Sequence, residues 1–273
     1  MRKFALASLV VFGAMFAVAG LAQAANTYSS SSKITPSSPG TTAAPKAVAA
    51  SLTFNVGETS GLRPSPLKTY KIGLGAGIVP NTSVAKGCSA AQANAQVLPA
   101  LCLKKATSGG AMVGGGSVSA LAGPTTNTST KLPCYLKVTL VNSTKKNHMW
   151  IRVDGVTTGA PGKTCVTAQH SSIDSTFVRT GSAAKKGGGT LPIYAIKFTV
   201  PPGLLHPLPG FDVAVVGNVS NIAKISKRIG RTTHGYLEAT GCQKAPAGKR
   251  TSVTTFTSEA GQTLSSSSTS KCG

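Results

Sequence analysis

The chain has 273 residues, with 28 Lys and Arg against only six Asp and Glu, a formal charge of +22. Carboxylates this scarce exclude a helical bundle, whose exposed faces are built from Glu, Lys, Gln and Arg, and leave few groups for acid–base chemistry. Gly, Ser, Thr, Ala and Val dominate instead, a composition suited to strands and turns.

Taken in chain order, the sequence opens on an export pattern. Arg2 and Lys3 precede an uncharged, largely apolar run over 4–21, which closes on Ala22-Gln23-Ala24. Small residues at the two positions a signal peptidase reads predict a signal peptide over 1–24, cut before Ala25. Losing Arg2 and Lys3 leaves 26 cations against six acids, a charge of about +20. The residue directly after the cut is Ala25 and not a cysteine, and the Ser-rich end, Lys271-Cys272-Gly273, carries no apolar tail. The expected address is therefore extracellular, with any hold on the envelope non-covalent. No transmembrane helix is expected in the mature chain, since no later segment is long and apolar enough.

Residues 25–50 form a Ser/Thr/Pro/Ala-rich, low-complexity segment in which Ser32-Lys33-Ile34-Thr35-Pro36 is read as the start of an edge strand. Residues 51–125 are read as an N-terminal β region. Strands are expected at 51–56 (Leu52, Phe54, Val56 alternating), at 68–74 (Tyr70, Ile72, Leu74) and, interrupted by glycines, at 112–121. One short helix is expected near 90–98, capped by Ser89 and ended by Pro99. Residues 126–273 are read as a C-terminal β-sandwich region. Its strands fall at 135–141 and 149–153, joined by a hairpin loop at 142–147, then at 175–179, 193–200, 211–219, 236–240, 253–257 and 263–270. Roughly ten strands without a helical period predict an all-β protein, a β-sandwich of Ig-like type, one large or two small.

Six cysteines in an exported chain read as disulfides: Cys88, Cys102, Cys134, Cys165, Cys242 and Cys272. They allow 15 pairings, of which sequence neighbours are the simplest. With no C-x-x-C and no His beside a Cys, a metal site is not expected, and no cofactor is expected either.

These segments resemble a family of secreted actinobacterial proteins without an assigned function. The likeness is carried by I-T-P-S-S-P-G-T at 34–41, G-L-R-P at 61–64, C-S-A-A at 88–91 with Cys102, V-P-P-G-L at 200–204, and G-Y-L-E-A-T-G-C at 235–242 with the terminal Cys272. The chain departs from the pattern in its Cys134 and Cys165 and in Leu101-Cys102-Leu103. The resemblance implies an all-β secreted protein and supplies no substrate.

Candidate sites are sparse. G-L-G-A-G at 73–77 is followed by Ile78-Val79-Pro80, which breaks a helix, so it reads as a turn and not a phosphate loop. His148, His170, His206 and His234 stand singly, without metal-site spacing. His170 and Asp174, with Ser171 and Ser172 between, are the nearest thing to a hydrolytic triad. Asp154 and Asp174 are the acid pair a polysaccharide hydrolase would use; Asp212 and Glu238 are expected to meet nearby cations. Trp150 is the residue that a carbohydrate-binding or adhesion module would present. The densest basic segment holds Lys224, Lys227, Arg228 and Arg231. The expected role is a non-enzymatic, extracellular binding or structural protein. Its partners would be anionic cell-wall polymers or lipid head groups, not nucleic acid, because base-stacking aromatics are few.

Overall fold

The computed structural model describes residues 25–159 and 164–273; the expected signal peptide over 1–24 lies outside them. The first strands are β1 (Asn26–Thr35), β2 (Lys46–Ala47), β3 (Ala49–Glu58), β4 (Leu67–Ala76) and β5 (Ile78–Pro80). Two short helices follow, α1 (Ala90–Asn94) and α2 (Ala100–Leu103), then β6 (Met112–Pro124), β7 (Leu132–Asn142), β8 (His148–Gly155), β9 (Gln169–Ala184) and β10 (Thr190–Thr199). After α3 (Pro202–Leu205) come β11 (Phe211–Ile222), β12 (Ser226–Ile229), β13 (Thr232–Gly235), β14 (Leu237–Ala239), β15 (Lys249–Ser258) and β16 (Thr263–Lys271).

The all-β expectation holds, but the expected two-layer sandwich does not describe the result. Eleven strands form one antiparallel sheet in the order β1-β3-β11-β6-β7-β8-β9-β10-β4-β15-β16. Strands from 51–125 and from 126–273 are interleaved in it. Its two ends then meet: Ser32 Oγ lies 2.9 Å from Ser268 Oγ, and Ser30 Oγ reaches Ser266 O. The sheet is therefore curled almost into a barrel. Alternating strands read the same in a sandwich and in a barrel; accumulated twist over eleven unbroken strands curls the sheet on itself. The glycine-rich β6 fits this closeness, because a Cβ at Gly114 or Gly116 would overlap the Asn221 or Val219 carbonyl of β11.

Side chains of one phase point inward along the eleven-stranded sheet. Phe54, Tyr70, Leu136, Val153, Ile173 and Phe256 fill one end of the lumen. Ile34, Leu74, Leu140, Met149, Phe177 and Ile222 fill the other. Leu204 and Leu205 of α3 close the first end. The second is closed by the small sheet β2-β14-β5, through Ile78, Leu237 and Ala239. Outward positions carry exposed Lys71, Lys137 and Lys197, the reverse of the apolar band around a membrane-spanning barrel. No helix among the described residues is long and apolar enough to cross a membrane.

The disulfides join sequence neighbours: Cys88–Cys102, Cys134–Cys165 and Cys242–Cys272. Such bonds persist in oxidising compartments. The first staples the predicted helical segment. Ser89 caps α1 by accepting from the Gln92 N–H, and Gln92 returns the bond to the Ser89 N–H. This capping box holds only five residues, because α1 stops at Asn94 and a separate turn, α2, follows Pro99.

Candidate functional site

Outside the barrel, the α1–α2 segment lies over the outward face of β7, β8 and β9. Trp150 is buried there with Val141, Ala93 and both cysteines of the first bridge, and its indole N–H donates to Cys88 O at 3.0 Å. It therefore presents no exposed platform, and an adhesion role for Trp150 is set aside. Beside it, Arg152 is 1% exposed. It donates to Ala93 O and Gln96 O at the end of α1 and, through Nε, to Asp154 at 2.8 Å.

The hydrolytic candidates do not converge. Asp154 lies opposite His170, four residues along β9 from Asp174. At about 3.3 Å per residue that is roughly 13 Å, beyond the ~5–9.5 Å that glycoside hydrolysis requires. Each acid is also committed: Asp154 to Arg152 and His170, Asp174 to His148 and Lys145. His170 faces Asp154 instead of Asp174, while Ser172 donates to Ala93 O, so no triad forms.

The same economy extends to every acid and every histidine. His234 pairs with Glu238 at 3.0 Å. Glu58 accepts from the N–H groups of Ser60 and Leu62 and closes its own turn. His206 stands between Asp212 at 2.8 Å and Glu259 at 2.9 Å. Each of its ring nitrogens is spent on a carboxylate, and no cluster among the described residues is shaped to hold a metal ion.

His206 follows α3 directly, so this clamp holds the element that closes the first end of the lumen. Hydrogen bonding to Glu259, then to Asp212, raises the imidazole pKa against some desolvation. Both nitrogens must donate to satisfy two carboxylates, which only the imidazolium does. A folded-state pKa above the unfolded value means the clamp stabilises fully below pH 6.5 and is lost as pH rises through the folded value. Thermal unfolding is thus expected to show a midpoint that falls as pH rises above 6.5, with His206→Gln flattening that dependence. An unchanged slope in the variant would remove the clamp from the explanation.

The basic segment forms the ribbon β12–β13, turned at Gly230. All of β12 is exposed, and alternation sends Lys227 and Arg228 to opposite faces, with Arg231 at the turn and Lys224 ahead of the ribbon. Residue spacing gave no sign of another basic feature. Lys71 stands directly opposite Lys197 across β4 and β10, and Lys249 opposite Lys271 across β15 and β16. Like charges facing each other destabilise a sheet. Among the described residues only Arg63, Lys145 and Arg152, of all the Lys and Arg, reach a carboxylate.

Inside, a cavity of about 140 Å³ runs between the two halves of the core, lined by residues such as Leu52, Ile72, Val118, Ile151, Ile196 and Phe198. Its polar lining is confined to Ser32, Ser51, Asn218, Ser220 and Asn221, apart from the fully buried Tyr70. No Lys, Arg, His, Asp or Glu lines it.

Comparison with known proteins returns no matching family model, curated protein or solved structure.

Proposed function

We propose that this protein is an exported, non-catalytic β-barrel that binds anionic cell-wall polymers through its outer wall. Kinship with the secreted actinobacterial family belongs to the same reading and rests on the motifs at 34–41, 61–64, 88–91, 200–204 and 235–242. The observation that carries the proposal is the pair of uncompensated cross-strand contacts, Lys71 with Lys197 and Lys249 with Lys271. The histidines and three cations take up five of the carboxylates, and Glu58 closes a turn. No acid remains to neutralise the facing lysines. A phosphate or carboxylate of a polymer lying across β4 and β10 would relieve that repulsion. The ribbon with Lys227, Arg228 and Arg231 adds a second contact.

Purified cell walls carrying anionic polymer are expected to retain the protein at low ionic strength and release it in molar salt. The double variant Lys71→Gln/Lys197→Gln is expected to bind several-fold more weakly while gaining about a few tenths of a kcal/mol in stability. Loss of binding with a gain in stability is the signature of a cationic contact held for a partner. Equal retention of both proteins, or no retention at low salt, would defeat the reading. Preferential binding to anionic lipid vesicles over walls would move the partner to lipid head groups.

A further inference from the structure

The lumen is not filled at mid-height. Ile72, Val118, Ile151 and Phe198 pack against both halves of the core, yet each is only half-buried. All four border the cavity of about 140 Å³. At this level β1, β3 and β11 present Ser32, Leu52 and Ser220, in register across the three strands. Two of these three positions carry a serine in place of a core-sized side chain, and both serines line the void.

Protein interiors seldom hold a gap larger than a water molecule, and an apolar cavity of about 150 Å³ stays dry and takes up benzene. The void here is longer than a ring. Its lining covers Leu136–Leu140 on β7 and Met149–Val153 on β8, roughly 13 Å of each strand at about 3.3 Å per residue. Asn218 supplies a polar point on the wall. Its Nδ2 donates to Leu52 O at 3.4 Å and to Ser220 Oγ at 3.1 Å. By donor and acceptor count, that leaves Asn218 Oδ1 and the Ser220 hydroxyl proton for one further group. No charged side chain lines the cavity. Arg250, which is 0% exposed and meets no carboxylate among the described residues, lies outside it.

We infer that the lumen binds a neutral, elongated apolar molecule with one hydroxyl group, a medium-chain alcohol of about six to eight carbons. The ligand hydroxyl donates to Asn218 Oδ1 and accepts from Ser220, and the chain lies against Ile72, Val118 and Ile151. A carboxylate or an ammonium at the same place would be buried without a counter-charge.

Entry is at α3. Leu204 and Leu205 form part of the cavity wall. The backbone bonds of α3 stay within its own turn, Leu204 N–H to Pro201 O and His206 N–H to Pro202 O. The element therefore moves without breaking a sheet ladder. Its tie is the bridge from His206 to Asp212 and Glu259. The β1–β16 seam, by contrast, is fastened at both ends, by Asn26 with Gln262 and by Gly273 N–H to Ser37 O.

This inference does not depend on the outer-wall reading and is tested separately, by calorimetric titration of the purified protein with 1-octanol, octanoate and octylammonium. Octanol is expected to bind and to raise the unfolding midpoint with concentration. Both ions should bind at least tenfold more weakly. Ser220→Leu and Ala50→Leu each fill the void from a lining position, so the unliganded midpoint should be kept or raised while octanol binding is lost. Ser220→Ala keeps the void and should weaken octanol roughly three- to tenfold. His206→Gln should speed octanol exchange several-fold, read from NMR line shapes. No binding of octanol, equal binding of octanol and octanoate, full octanol affinity in a folded filled variant, or unchanged affinity in Ser220→Ala would each overturn the site. An unchanged exchange rate in His206→Gln would overturn entry at α3.

Discussion

Replacing Arg152 with alanine is expected to lower the unfolding free energy by about 3 kcal/mol. The side chain is 1% exposed and joins three things at once: the Ala93 carbonyl, the Gln96 carbonyl and the Asp154 carboxylate. Without it, the Gln96 carbonyl loses its donor, the Ala93 carbonyl keeps only Ser172, and the long aliphatic stem leaves a gap beside Trp150. The cost stays at the lower end of the range for a broken buried pair, because Asp154 keeps His170 and remains partly solvated. Denaturant titration gives the magnitude. Amide exchange gives the location, and protection should fall over residues 88–111 while the barrel strands keep theirs. Arg152→Lys should restore only part of the loss, since one ammonium cannot reach three acceptors in a fixed fork. Uniform loss of protection across the barrel would mean that Arg152 holds the sheet and not the stapled helical segment.

Phe256→Ala is expected to cost about 4 kcal/mol. Phe256 is 0% exposed and sits at the centre of an aromatic cluster. Its ring stacks on Tyr28 at 4.9 Å and meets Phe54 and Tyr70 edge-on at 5.2 and 5.7 Å. Tyr28 belongs to β1 and Phe256 to β15, so the stacked pair spans the seam that β16 closes. Emptying this position removes both core volume and the main apolar tie across the seam. Exchange should rise first in β16, and Phe256→Leu should recover more than half of the loss. If β16 keeps full protection in the alanine variant, the seam is held by its polar contacts, among them Ser32 with Ser268 and Asn26 with Gln262.

Much of the strand content was legible because period-2 alternation is a local property. Residues 51–56, 68–74, 135–141 and 149–153 alternate clearly, and each lies within a strand of the structure. β1 was only half visible. Its serines carry no hydrophobic signal, yet Asn26–Thr35 pairs with β3 over its whole length. The ribbon β12–β13 was read only as a charged stretch, since a two-stranded element with every residue of one strand exposed has no buried phase to reveal it.

Candidate chemistry was harder to read. The sequence singled out Asp154, Asp174 and Trp150 for their residue type, and the fold places all three on one outer face, two as ion-pair acceptors and one as core. A signal for Arg250 was present in R-T-S-V-T-T-F-T, where Arg250 and Ser252 share the phase of Phe256. An arginine in phase with a core aromatic predicts an inward charge, but not whether a carboxylate meets it.

Export pattern, cysteine complement, all-β class and excess charge are properties of composition and local order, and the sequence alone determines them, the export pattern as an expectation. Whether the strands make two layers or one curled sheet, which lysines face each other, and which buried arginine lacks a counter-charge depend on register between segments far apart in the chain. Strand alternation has no memory of its partner. Only closure of the sheet, bringing β1 against β16, decides what lies inside.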